Sequence, residues 1–242
     1  MNIFSHLSDR IIVPLKIAGI DISITNEIIV MWVAIFFIIL FFYFGSKKTS
    51  IIPNRFQNLV EMYVLTLWEN IEPIVQSRAW LPFFCGLFSL ILFCNLLGGI
   101  PGIVPPTVNI NFTATLALCI FLITQIVGIK QNGIKKYFLS FVPLDVPFWI
   151  LIFIVPMEIL SQLIRPFSLS IRLFANIFAG HAVTLTIIGL IFVFKSYWVL
   201  PGSLIGHVFI SAFEVFVAFI QAFIFTFLSA FYIGSSLNLE EH

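Results

Sequence analysis

"FWILIFIVPMEILSQLIRPFSLSIRLFANIFAGHAVTLTIIGLIFVF", residues 148–194, is an apolar run whose only charged side chains are Glu158, Arg165 and Arg172. As one helix it would be about 70 Å long, more than twice the ~30 Å of bilayer hydrocarbon. Pro156 and Pro166 are places where a helix can kink or break. A clean break into two spans needs a polar turn, and the sequence offers only Arg165-Pro166 there. The run therefore predicts a single long, kinked and strongly tilted helix. A second run, 203–233, would measure about 46 Å and need a tilt near ~50°, against a usual ~20°. Two such helices make a C-terminal hairpin shaped to lie against a partner.

The rest of the chain fits that setting. Its 242 residues are 60% hydrophobic and 10% charged, where soluble domains carry roughly 25% charge; mean hydropathy is +1.12. The expectation is an all-α polytopic membrane protein, a single membrane domain over 1–242. Shorter spans fall at 28–44, 80–97 and 112–129, for about five crossings in all. Residues 53–79 differ: Asn54, Gln57, Asn58, Glu61, Glu69, Glu72 and Gln76 share an arc of roughly 120°, interrupted by Leu65 and Trp68. An interfacial amphipathic helix and a re-entrant hairpin both fit. The first residues lack the basic, apolar, small-residue order of a cleavable signal peptide.

Orientation follows from basic residues near the spans. Lys47, Lys48, Arg55, Arg78, Lys130, Lys135 and Lys136 share one side, and Arg10, Lys16 and Lys195 the other. The N-terminus is thus expected outside and the C-terminus inside. A net charge of +1 gives no nucleic-acid footprint. Cys85, Cys94 and Cys119 sit in apolar runs without metal-binding spacing and read as buried, inert thiols. No glycine-rich phosphate loop occurs, so no cofactor, metal or ATP site is expected.

A charge at mid-membrane costs roughly 2.5 to 3.5 kcal/mol on an insertion scale, which makes function its default reading, although structural pairing or snorkelling toward the inner interface fits Arg165 as well. Glu158, Arg165 and Arg172 recur every seven residues, drifting about 20° per step, and so share one helix face. Asn176 lies a turn beyond Arg172; His181 points to the opposite face. In the second run Glu214 and Gln221 are again seven apart. In an antiparallel hairpin, residues at equal depth have position numbers of nearly constant sum. His181 with Glu214 gives 395 and Arg172 with Gln221 gives 393, against 398 for the turn ends 195 and 203. The register implies two levels, an acid–base pair nearer the outside and an arginine with amides deeper. An imidazole and a desolvated carboxyl group can both load and release protons near neutral pH. A guanidinium keeps its charge, interrupts a proton wire and attracts a visiting carboxylate. Glu158 shares the arginine's own face, so that carboxylate is expected on another protein.

"LSIRLFANIFAGH" (169–181) and "EVFVAFIQAFIFTFLSAFY" (214–232), with "NLLGGIPG" (95–102) and "PPTVNINFTATLAL" (105–118) upstream, resemble the a subunit of F-type ATP synthase, the membrane stator of a proton motor. The resemblance covers most of 50–233. It implies that Arg172 is the essential arginine facing the carboxylates of the c-ring, with Asn176 and Gln221 the polar residues beside it. It further implies that His181 and Glu214 are the outer half-channel pair. Many bacterial members carry these two in the reverse order and mitochondrial-type members in this one, which leaves a bacterial inner membrane and a mitochondrial inner membrane both open. Glu158 matches an acid near the inner half-channel and Arg165 a basic position; His207 sits near the outer mouth. Implied partners are the c-ring, the peripheral-stalk b subunits and, indirectly, the F1 sector. The chief rival is a secondary transporter with Arg172 as an anion site, which predicts an internal repeat that the sequence lacks. An intramembrane enzyme would need a nucleophile–base set or metal ligands, and no such motif occurs.

Overall fold

The computed structural model describes residues 11–14, 16–17, 20–21, 23–47, 53–100, 103–139, 147–194 and 199–237. Of the residues used for orientation, Arg10, Lys48 and Lys195 lie outside these. Two nested antiparallel ladders come first: β1 (Ile11–Val13) pairs with β4 (Ile24–Thr25), enclosing β2 (Lys16–Ile17) paired with β3 (Ile20–Asp21). Strands of two or three residues are too short to leave an alternating pattern, so they were not legible in the sequence. Six helices follow: α1 (Asn26–Ser46), α2 (Arg55–Val75), α3 (Leu81–Gly98), α4 (Ile110–Leu139), α5 (Phe148–Phe194) and α6 (Val199–Leu237). All but α2 are long and apolar enough to cross a membrane. The chain is an all-α polytopic membrane protein.

α1 is apolar all round, burying only Val30, Ala34 and Gly45 and turning Trp32, Phe36 and Ile39 outward. Such a helix gains nothing by hiding apolar surface from lipid. α2 is amphipathic and has no internal turn, so 55–75 holds no re-entrant hairpin. Asn54 caps it by accepting from the Arg55 N–H at 2.8 Å. Gln76, at φ 55°, ends it by donating its N–H to the Glu72 carbonyl. Asn58, Glu61, Glu69 and Glu72 are exposed, while Trp68 is buried with Leu67 and Ile71. Gln57 departs from the polar arc: it is buried, its amide donating to Glu61 Oε1 at 2.7 Å. The Tyr63 hydroxyl ties α2 to α3 through the Cys85 carbonyl (3.1 Å) and Ser89 (2.6 Å).

The core is shared by α3, α4, α5 and α6, with α6 packed against the other three. Phe88 and Ile91 pack there with Ala117, Ile120, Leu169, Leu173, Ala222 and Phe225. Small residues at the contacts let the helices approach, which is how helices associate where lipid removes the hydrophobic drive. Thr113 meets Ser170 at 3.2 Å across α4 and α5. In α4, Thr113, Ala117, Ile120 and Thr124 form the buried stripe. Cys119 lies off it and is exposed, unlike the buried Cys85 and Cys94, correcting the expectation of three buried thiols.

α4 is two helical limbs joined at Gly133, whose φ of 77° is a region open to glycine. Next to this break, Asn132 donates to the Ser236 carbonyl at 2.9 Å, and the Tyr137 hydroxyl donates to Gln125 at 2.6 Å. The first bond ties α4 to α6, and the second holds the short limb of α4 back against its long one. α5 continues through both Pro156 and Pro166. α5 and α6 pack along each other and leave a long apolar surface outward, including Trp149, Phe153 and Phe167 on α5 and Ile205, Phe209 and Phe216 on α6.

Candidate functional site

The polar residues of α5 and α6 lie in a seam, each resolved differently. At one end Gln162 donates weakly to Glu158 Oε1 at 3.4 Å, and the Arg165 guanidinium stands 5.3 Å from the centre of the Tyr232 ring. That is cation–π range, so Arg165 has a partner within its own chain. Arg172 is half-buried, like Glu158 and Arg165. Among the described residues, no hydrogen bond or ion pair involves it.

One turn beyond, Asn176 Nδ2 donates to Gln221 Oε1 at 2.7 Å. Gln221 is 1% exposed, and its Nε2 has no partner among the described residues. Further along, Thr184 Oγ1 donates to Glu214 Oε1 at 2.7 Å. Gly180 makes room for that carboxylate: a Cβ there would sit 3.0 Å from Oε1 and 3.4 Å from Cγ. These contacts define the hairpin register. Arg165 with Tyr232 and Asn176 with Gln221 each sum to 397, and Thr184 with Glu214 to 398. Gln221 therefore partners Asn176, where the sequence register set it against Arg172. Glu214 is hydrogen-bonded to Thr184, where the register set it against His181.

His181 and Glu214 nevertheless share a cavity of about 330 Å³, lined by the C-terminal end of α3 and by middle stretches of α5 and α6. α3 contributes Asn95, α5 contributes Asn176, Gly180 and His181, and α6 contributes Phe213 and Glu214. Asn95 is 5% exposed, and neither amide atom has a partner among the described residues. A buried amide left so costs about 1–3 kcal/mol, and a cavity of this size has room for a water between the polar groups in its largely apolar wall. Asn95 and Thr184 are the residues that sequence reasoning missed. A lone amide in the apolar run of α3 was a usable signal; a threonine inside a long apolar helix was not. His207 is half-buried with an unpartnered Nδ1 and does not line the cavity. Among the described residues, no group of His, Cys, Asp and Glu is placed to hold a metal.

The seam thus runs from a cavity holding an imidazole and a carboxyl group, through two amides, to a cation unpaired among the described residues, beside an exposed apolar face. The family profile described as ATP synthase A chain matches residues 28–234. The ATP synthase subunit a of Magnetococcus marinus is 40% identical, over 99% of this chain and 94% of its own length. That of Chloroherpeton thalassium is 37% identical over 94% and 71%, and that of Chlorobium phaeobacteroides 38% over 99% and 72%. All these relatives are bacterial. Every residue of the seam lies within the matched stretch, and the chain belongs to the ATP synthase subunit a family.

Proposed function

We propose that this chain is the proton-carrying stator of an F-type ATP synthase, passing protons between two offset half-channels by way of carboxylates on a rotating c-ring. The observation that carries this reading is Arg172, a half-buried cation with no hydrogen bond or ion pair among the described residues, beside the exposed faces of α5 and α6. A charge in that position needs compensation, and a carboxylate arriving on a neighbouring subunit supplies it. The exposed apolar surface is the ring's track. Peripheral-stalk b subunits hold the chain still, and the F1 sector makes ATP elsewhere.

In this reading the outer half-channel is the cavity of Asn95, His181 and Glu214. A proton entering there moves between imidazole and carboxylate and on to a ring carboxylate, which becomes neutral and rotates into lipid. A returning carboxyl group meets the inner path near Glu158 and loses its proton. Arg172 favours the ionised form and blocks direct passage between the two paths. Asn176 and Gln221 orient the groups around it. Arg165 belongs to the structural frame at the inner end, and His207 lies near the outer mouth. The basic-residue bias places the N-terminus outside and the C-terminus inside, in a bacterial inner membrane.

The test is Arg172→Ala in membrane vesicles, with assembly of the complex checked by subunit content. ATP-driven proton pumping and gradient-driven ATP synthesis are expected to disappear. Pumping at the parent rate would overturn the proposal.

A further inference from the structure

Resting on the outer-channel reading of Glu214, we infer that Thr184 is a positioning residue for proton transfer. Its hydroxyl holds one oxygen of the Glu214 carboxylate, so that the other is presented to the cavity.

A threonine inside a helix ordinarily donates to the carbonyl four residues back. Thr115, Thr124, Thr186 and Thr226 all do so here, at 2.7 to 2.9 Å. Thr184 instead reaches across to α6 and donates to Glu214 Oε1 at 2.7 Å. Thr186, only two residues on in the same helix, keeps the local bond to Ala182, so helix position alone does not explain the difference. What differs is Gly180, one turn before Thr184. It leaves space for the Glu214 carboxylate to approach the α5 backbone, where a Cβ would stand 3.0 Å from Oε1.

The consequence is orientational. The terminal torsion of a glutamate is broad and nearly two-fold, so an unanchored carboxylate turns freely. With Oε1 fixed by Thr184, Oε2 is left to exchange a proton with His181 or with water in the shared cavity. Efficient transfer needs donor and acceptor within hydrogen-bond reach, directly or through one water. The proton transferred comes to Oε2 and leaves from it, while the threonine keeps its own on Oγ1.

The experiment uses the whole ATP synthase in liposomes, compared at equal content of assembled complex. Synthesis is driven by an imposed gradient at several outer proton concentrations. Thr184→Val preserves shape without the hydroxyl; it is expected to slow synthesis about tenfold at limiting outer protons and to recover as that concentration rises. Thr184→Ser keeps the hydroxyl and is expected to stay within about twofold of the parent. In a Glu214→Gln background, Thr184→Val should add nothing further. A full-rate Thr184→Val, a Thr184→Ser as slow as the valine variant, or an additive double variant would overturn the inference. If Glu214→Gln is slow while Thr184→Val is not, only the role of Thr184 falls. If Glu214→Gln itself runs at the parent rate, the outer-channel reading of Glu214 falls with it.

Discussion

Arg165 and Arg172 stand seven residues apart on one face of α5, both half-buried, and their surroundings are opposite. Arg165 has the Tyr232 ring beneath it at 5.3 Å; Arg172 has no hydrogen bond or ion pair among the described residues. A cation that its own chain satisfies is part of the scaffold. One left unsatisfied in an apolar protein points outward, to a compensating group on something else. The difference separates two residues that composition and spacing treat alike.

Neutralising each arginine in turn is the direct way to break this contrast. Arg172→Gln is expected to lower ATP-driven proton pumping at least about hundredfold, since it removes charge stabilisation that nothing replaces. Arg165→Gln loses a ring contact and should leave pumping within about threefold of the parent. Equal losses would erase the distinction between scaffold and gate.

Asn95 sharpens the same contrast from the other side, as an unsatisfied group facing a cavity. Asn95→Leu removes a buried amide without protein partners, so the assembled complex should be at least as heat-stable as the parent. Gradient-driven synthesis should nevertheless fall about fivefold as the outer path loses its water-binding wall. A drop in both together would mark Asn95 as structural. The smallest effect is expected at Gly180: Gly180→Ala pushes Glu214 Oε1 aside by a few tenths of an ångström. Synthesis should fall about twofold as the Thr184 bond lengthens, and an unchanged rate would show that the carboxylate finds another productive position.

Most of the fold was legible because crossing a bilayer imposes a length and a composition, and residues 28–44, 80–97 and 148–194 advertise both. The site was legible by residue type and depth and illegible by partner. Polar residues one turn apart in a helix give nearly the same depth sum. The register argument therefore could not tell Asn176 from Arg172 as the neighbour of Gln221, nor Thr184 from His181 as that of Glu214. The Thr184 bond depends on the space at Gly180, a three-dimensional fact with no pattern in one dimension. The break at Gly133 is similar, because its effect appears only where Asn132 meets the Ser236 carbonyl.

α5 passes through Pro156 and Pro166 without interruption, and this makes it a ruler. Glu158 and Thr184 are separated by helix rise alone, about 39 Å. On the proposed function, the spacing of the inner and outer paths is therefore written into one covalent element and insulated from changes in loop length. A single residue inserted between them would turn one set of side chains by about 100° relative to the other. Substitutions along this rod can be absorbed one at a time, whereas an insertion or deletion would put the two paths out of phase.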